Sequence, residues 1–311
     1  MGTVREVLAH LYQEEIESLA VVGRRVFASL RRIRRLAARP RTCAGHAAES
    51  SRSRFKNALP STTHSPSPRI ASTVRPSRFG SLVAALGLLA EFTVSTKVGV
   101  FTGGNHSLDP ARLRQAIEQS CIDLRHPPGL VLLHNPETSL ERLDDTRAPD
   151  ALAEACGVLI NAVSTGLCGG WGISTWSPRP VLAAVTPLRP DVLMTRAGLT
   201  VGAPVLTLIE ELAGRLDSCA LWGMSPFGGD ATDPAWREVN AWQFLRQGPD
   251  CTDLQAVFRT AYALPEIERV AVGTGDPSHL RALVEATGLE IDRETVAAYR
   301  DLLATARPAA R

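Results

Sequence analysis

Tyrosine is scarce in this chain: Tyr12, Tyr262 and Tyr299 are the three phenols in 311 residues. A reaction that needs a phenolic proton donor therefore has few places to find one. No G-x-G-x-x-G occurs, which removes support for a Rossmann dinucleotide site. The six cysteines, Cys43, Cys121, Cys156, Cys168, Cys219 and Cys251, form no C-x-x-C pair, and no secretory signal precedes them. That usage predicts reduced thiols in a cytoplasmic protein and no metal site. The longest apolar run near the front, Leu82 to Ala90, is far short of the ~20 residues a membrane span requires, so no span is expected.

What is present points to a globular α/β protein. A length of 311 residues suffices for one barrel of about 250 residues or for two smaller domains. Hydrophobic content of 44% and charged content of 21% are ordinary, so a sizeable core is available. The net charge of +2 hides an asymmetry: residues 1–70 hold 13 Lys+Arg against 5 Asp+Glu, and the remainder 21 against 27. From Val4 to Leu36 apolar residues recur at three- and four-residue steps, predicting a long amphipathic helix that ends in Arg31, Arg32, Arg34 and Arg35. With no recognition motif beside them, these arginines read as a solvated face rather than a nucleic-acid contact. Arg39 to Arg78 is rich in Ser, Pro, Arg and Thr and reads as a loop or linker. The chain thus divides into an extension, 1–70, and a folded part, 71–311.

In the folded part strand and helix patterns alternate. Phe92 to Gly99 is a β-branched run with Lys97 near its end; a helical run follows from Pro110 to Cys121, then the apolar strand Gly129 to Leu133 closing on His134. Two strands joined by a helical crossover are expected to be parallel neighbours, which brings Lys97 and His134 to one rim. Further strands are expected at Gly172–Thr175, Asp191–Thr195, Cys219–Met224 and Arg269–Gly273, with helices between them. Such alternation predicts a parallel sheet covered by helices. Six strands can be counted from Phe92 onward, so an eight-stranded barrel needs two more from earlier residues or stays incomplete. Lys97, His134, Ser174, Arg196, Trp222 and Gly273 all fall at or near strand ends, where parallel βα units carry their functional groups.

These motifs resemble the aldo-keto reductase family. Thr96-Lys97 is similar to the "TK" that closes that family's third strand, and Leu133-His134-Asn135-Pro136 to its "LHNP". Trp171-Gly172-Ile173-Ser174-Thr175-Trp176 looks like the fifth strand, and Val270 to Leu280 like the last strand and phosphate-binding turn. The resemblance covers Phe92 to Leu303 and implies a (β/α)8 TIM barrel with an atypical N-terminus. It also implies NADPH-dependent reduction of an aldehyde or ketone, or the reverse alcohol oxidation, on a small carbonyl or sugar-like substrate with NADP(H) as cofactor.

By that resemblance Lys97 would lower the pKa of a proton-donating tyrosine, and His134 would orient and polarise the carbonyl. Ser174 and Thr175 match residues that bond the nicotinamide carboxamide, although a polar strand-to-helix cap reads equally well there. Ser225 opens a run, through Gly229, that resembles the loop over the pyrophosphate; a plain surface turn is the other reading. Gly273, Thr274, Gly275 and Asp276 form a tight turn before a helix and suit a phosphate, while Asp276 also reads as a simple helix cap followed by Pro277. Trp176 and Trp222 fit a pocket lining or a core. The family's "D-T-A-x-x-Y-G" is missing: Phe79-Gly80-Ser81 is similar to its end, but phenylalanine donates no proton. A barrel that binds nucleotide or a partner with little or no turnover is therefore the alternative.

Overall fold

The computed structural model describes residues 26–30, 69–72, 92–101, 104–217, 219–232, 236, 239–246, 250–274 and 276–305. Their strands are β1 (Val26–Leu30), β2 (Arg69–Ser72), β3 (Phe92–Val98), β4 (Leu130–His134), β5 (Trp171–Ser174), β6 (Val192–Arg196), β7 (Ala220–Met224) and β8 (Arg269–Val272). They close into a barrel in the order β1-β2-β8-β7-β6-β5-β4-β3. From β3 round to β8, and on to β2, every pairing is parallel. β1 alone runs antiparallel, to both β2 and β3.

Strand parity decides what lines the lumen, because successive side chains point to opposite faces. Leu130, Leu132, Val192, Met194, Ala220, Trp222, Met224 and Ala271 form one buried cluster inside the ring. The alternate residues, among them Val98, Val131, Leu133, Ile173 and Leu193, pack outward against helices. The interior is tight enough that Gly172 has no room for a side chain: a Cβ there would run into Val192 O and the Leu132 Cδ2 methyl.

Eight described helices cover the ring: α1 (Pro110–Leu124), α2 (Glu137–Leu140, a single turn), α3 (Ala148–Ser164), α4 (Pro178–Ala184), α5 (Ala203–Arg215), α6 (Asp253–Thr260), α7 (Pro277–Ala286) and α8 (Arg293–Thr305). α1 shows why these segments are helical. Asp109 accepts the Arg112 N–H at 2.8 Å as N-cap, Pro110 occupies the first turn, and Arg125 ends the helix in the left-handed region at φ 56°. Leu113, Ala116, Ile117, Ser120 and Leu124 make its buried stripe. α6 begins with a reciprocal capping box between Thr252 and Gln255. No described helix is long and apolar enough to cross a membrane.

The expected strands from Phe92 onward are all present, and β3 and β4 are parallel neighbours as their crossover predicted. Two expectations for the earlier residues change. Val26–Leu30 is a strand rather than part of a helix over 4–36, and Arg69–Ser72 is a strand inside the stretch read as a linker. The rest of both stretches lies outside the described residues. The physical reason is tertiary. A six-stranded parallel sheet leaves the β3 and β8 edges with open backbone donors and acceptors, and closing strands satisfy them whatever the local helical periodicity. The barrel is therefore complete in strand number, with one strand reversed.

Candidate active site

Lys97 is a lumen residue. It pairs in register with Leu132, is 4% exposed, and its Nζ donates to Ser174 Oγ at 3.0 Å. His134 ends β4 with the same parity as Leu130 and Leu132, and its register partner across β5 is Ser174. The structure thus brings Lys97, His134 and Ser174 to one rim at the C-terminal end of the sheet. Ser174 is wholly buried, and its hydroxyl also lies 3.9 Å from the Met224 sulfur. Asn135 follows His134 in the left-handed region at φ 48°, and its Oδ1 is buried with no hydrogen-bond partner among the described residues.

Thr175 behaves differently from its neighbour. Its hydroxyl donates to Glu137 Oε2 at 2.9 Å, while Glu137 Oε1 accepts the N–H groups of Trp176 at 2.7 Å and Ser177 at 3.1 Å. Glu137 is 4% exposed, so a buried carboxylate on the β4 side ties down the turn that leaves β5. Sequence analysis assigns Glu137 no role. Its three partners lie 38 to 40 residues downstream, and no local spacing reveals them.

Arg196 ends β6 with the parity of Val192 and Met194. Its guanidinium carbon lies 5.2 Å from the centroid of Trp176, and its Nε is buried with no hydrogen-bond partner among the described residues. Partial burial pushes its pKa down from the ordinary arginine value. Trp176 is 39% exposed and so opens this platform to solvent, whereas Trp222 is core inside the ring.

The other candidate residues lie on the far side of the rim. Ser225 follows β7 at φ 54° and its carbonyl accepts the Gly228 N–H at 2.9 Å; Gly228 and Gly229 follow at φ 65° and 110°. Gly273 is exposed and Thr274 half-buried, while Gly275 lies outside the described residues. Asp276 is the N-cap of α7: its Oδ1 accepts both the N–H and the hydroxyl of Ser278 at 2.7 Å, and the Thr274 hydroxyl accepts the Asp276 N–H at 3.1 Å. The Ser278 hydroxyl bond chiefly holds the Asp276 carboxyl below the usual aspartate range.

The described tyrosines are elsewhere. Tyr262 packs with Phe258, Val270 and Val272 on the outer face of the sheet, where burial drives its pKa upward. Tyr299, on α8, points its hydroxyl at Leu199 O, 3.3 Å away. Tyr12 and the Phe79-Gly80-Ser81 stretch lie outside the described residues. Among the described residues no group of three or more His, Cys, Asp or Glu side chains is placed to hold a metal ion.

No protein-family model matches the chain and no curated protein matches it. Solved structures do. The holo form of aldo-keto reductase AKR11C1 from Bacillus halodurans aligns with a TM-score of 0.55 at 16% identity, over 76% of this chain and 79% of that one. An aldo/keto reductase from Klebsiella pneumoniae, in complex with NADP and acetate, aligns at 0.55 and 15%, over 76% and 78%. An aldose reductase from Schistosoma japonicum aligns at 0.51 and 16%, over 75% and 77%. At such identities the agreement is one of architecture, and the chain has the barrel fold of the aldo-keto reductases.

Proposed function

We propose that this chain is an oxidoreductase of the aldo-keto reductase type, reducing an aldehyde or ketone, sugar-like carbonyls included, with NADPH, or oxidising the corresponding alcohol. The observation that carries this reading is the convergence of Lys97, His134 and Ser174 on one lumen rim, with the ammonium bonded to the Ser174 hydroxyl. Active sites of such barrels sit at the C-terminal face. The polar groups there suit a dinucleotide: the Asn135 Oδ1, an acceptor without a partner among the described residues, for an amide N–H, the Arg196 guanidinium, whose Nε has no partner among them, for a phosphate, and turns of small residues at Gly228 and Gly229. In this reading Ser174 and Thr175 hold the carboxamide. Ser225 shapes the turn over the pyrophosphate, and Gly273, Thr274 and Asp276 belong to the outer phosphate turn, Asp276 by fixing the start of α7.

Bound NADPH supplies the hydride. His134 faces the substrate side of the rim and donates a hydrogen bond that polarises the carbonyl oxygen. Lys97 places a fixed positive charge below, where it stabilises the charge that develops on that oxygen and favours proton release from a neighbouring donor. Tyr262 and Tyr299 are not that donor, because both lie outside the lumen.

Their placement supports the second reading, a barrel that binds nucleotide without turnover. NADPH binding, followed by its fluorescence, and NADPH oxidation over a panel of aldehydes and ketosugars separate the two. The expected result is binding with turnover that falls about 100-fold or more in Lys97→Met and in His134→Gln. Binding with no oxidation on any carbonyl favours the second reading, and absence of NADPH binding removes both.

A further inference from the structure

We infer that Arg196, backed by the Trp176 ring, is an anion subsite at the barrel mouth that takes the paired oxygens of a carboxylate or a phosphate. The inference deepens the oxidoreductase reading, on which it rests only for the identity of the molecule that carries the anion.

Four observations converge. Parity points Arg196 into the lumen, two residues beyond Met194, whose register partner is Ser174. The subsite thus lies one pleat repeat, about 7 Å, above the level at which Lys97 meets Ser174. The guanidinium makes no hydrogen bond or ion pair among the described residues, and its Nε is sealed from water without a partner. A half-buried cation in that condition is destabilised until an anion arrives, since desolvation without pairing costs free energy.

The buried acid that holds the Trp176 backbone is itself already committed. Glu137 holds the Trp176 backbone, yet its two oxygens accept Thr175 Oγ1, Trp176 N and Ser177 N. Finally, the Arg196 guanidinium carbon lies 5.2 Å from the Trp176 ring centroid and Trp176 is 39% exposed, so the pair is open on the solvent side. A ring face beside a cation favours it at that place, and the planar guanidinium fork matches carboxylate or phosphate oxygens two at a time. A lysine has no such geometry.

Two sources could bring the anion: a carboxylate on the carbonyl substrate, or the diphosphate of the cofactor. Calorimetric titration of the full chain with oxalate and, separately, with inorganic pyrophosphate at constant ionic strength distinguishes them. Arg196→Gln is expected to weaken at least one probe about tenfold or more. Arg196→Lys recovers part of that loss, and Arg114→Gln, an exposed α1 arginine paired with Glu118, changes neither. Loss confined to oxalate assigns the subsite to an acidic substrate, loss confined to pyrophosphate assigns it to the cofactor, and loss of both supports an unselective subsite. Unchanged affinity for both probes in folded Arg196→Gln overturns the inference, as does an equal loss in Arg114→Gln. A wild type that binds the anions but not NADPH keeps the subsite and removes the oxidoreductase reading.

Discussion

The two sides of the barrel rim are built on different principles. On the β3 to β5 side the candidate groups are side chains locked in the interior: Lys97 on Ser174, and Thr175 on Glu137, all at most 4% exposed. On the β7 to β8 side they are backbone turns at the surface, with Ser225 and Gly228 in left-handed conformations and Asp276 capping α7 in solvent. The first side is set before any ligand arrives, because moving one of its groups strands another in a dry interior. The second has N–H groups and water to offer, and its geometry depends on one exposed cap.

If that contrast is right, the largest effect comes from the buried carboxylate. Glu137→Ala leaves the Thr175 hydroxyl and the N–H groups of Trp176 and Ser177 without their acceptor. A buried donor left unpaired costs about 1 to 3 kcal/mol, but the turn at Trp176 and Ser177 is open enough for water to replace part of the loss. We expect a fall of about 3 kcal/mol in urea unfolding free energy, with Glu137→Gln recovering more than half because its amide oxygen can still accept. Equal stability of wild type and Glu137→Ala would show that the turn is not wired.

Next in size is the Lys97 to Ser174 bond. Ser174→Ala removes the hydroxyl that the buried ammonium donates to, and hydrogen bonds to charged groups contribute about 1.5 to 3 kcal/mol. The expected loss is about 2 kcal/mol. It should be non-additive with Lys97→Met: once the ammonium is gone, the serine has less to hold, so the double variant is more stable than the sum of the two changes implies. A double-mutant cycle that closes additively within about 0.3 kcal/mol would break the idea of a coupled pair.

The contrast also explains what could be read from the sequence. β3 and β4 were legible because their residues alternate or run apolar over one strand length, and strand-end position alone placed Lys97, His134 and Arg196 at the rim. Cap chemistry at Asp276 was legible too, since Asp-Pro-Ser is a local signal read within three residues. β1 and β2 were not, because their strand state comes from the open edges of β3 and β8 rather than from their own periodicity. The reach of Glu137 across to the β5 turn was equally hidden. Long-range wiring leaves no spacing in the chain, and it is the wiring that distinguishes the two sides of this rim.

The smallest effect belongs to the exposed cap, and it is one of pH. Hydrogen bonds from Ser278 hold the Asp276 carboxyl below its usual range in the folded chain, so the folded state favours the ionised form. The sign follows from linkage: the contribution is present above the unfolded aspartate value of about 3.9 and is lost as pH falls through the lower folded value. In Asp276→Asn the cap survives, because an amide oxygen still accepts from Ser278, but the titrating charge does not. Stability at neutral pH should therefore fall slightly, while the acid limb of the stability curve below about pH 4 becomes shallower than in wild type. An acid limb in Asp276→Asn as steep as in wild type would reverse the assignment of which side of the rim responds to solvent.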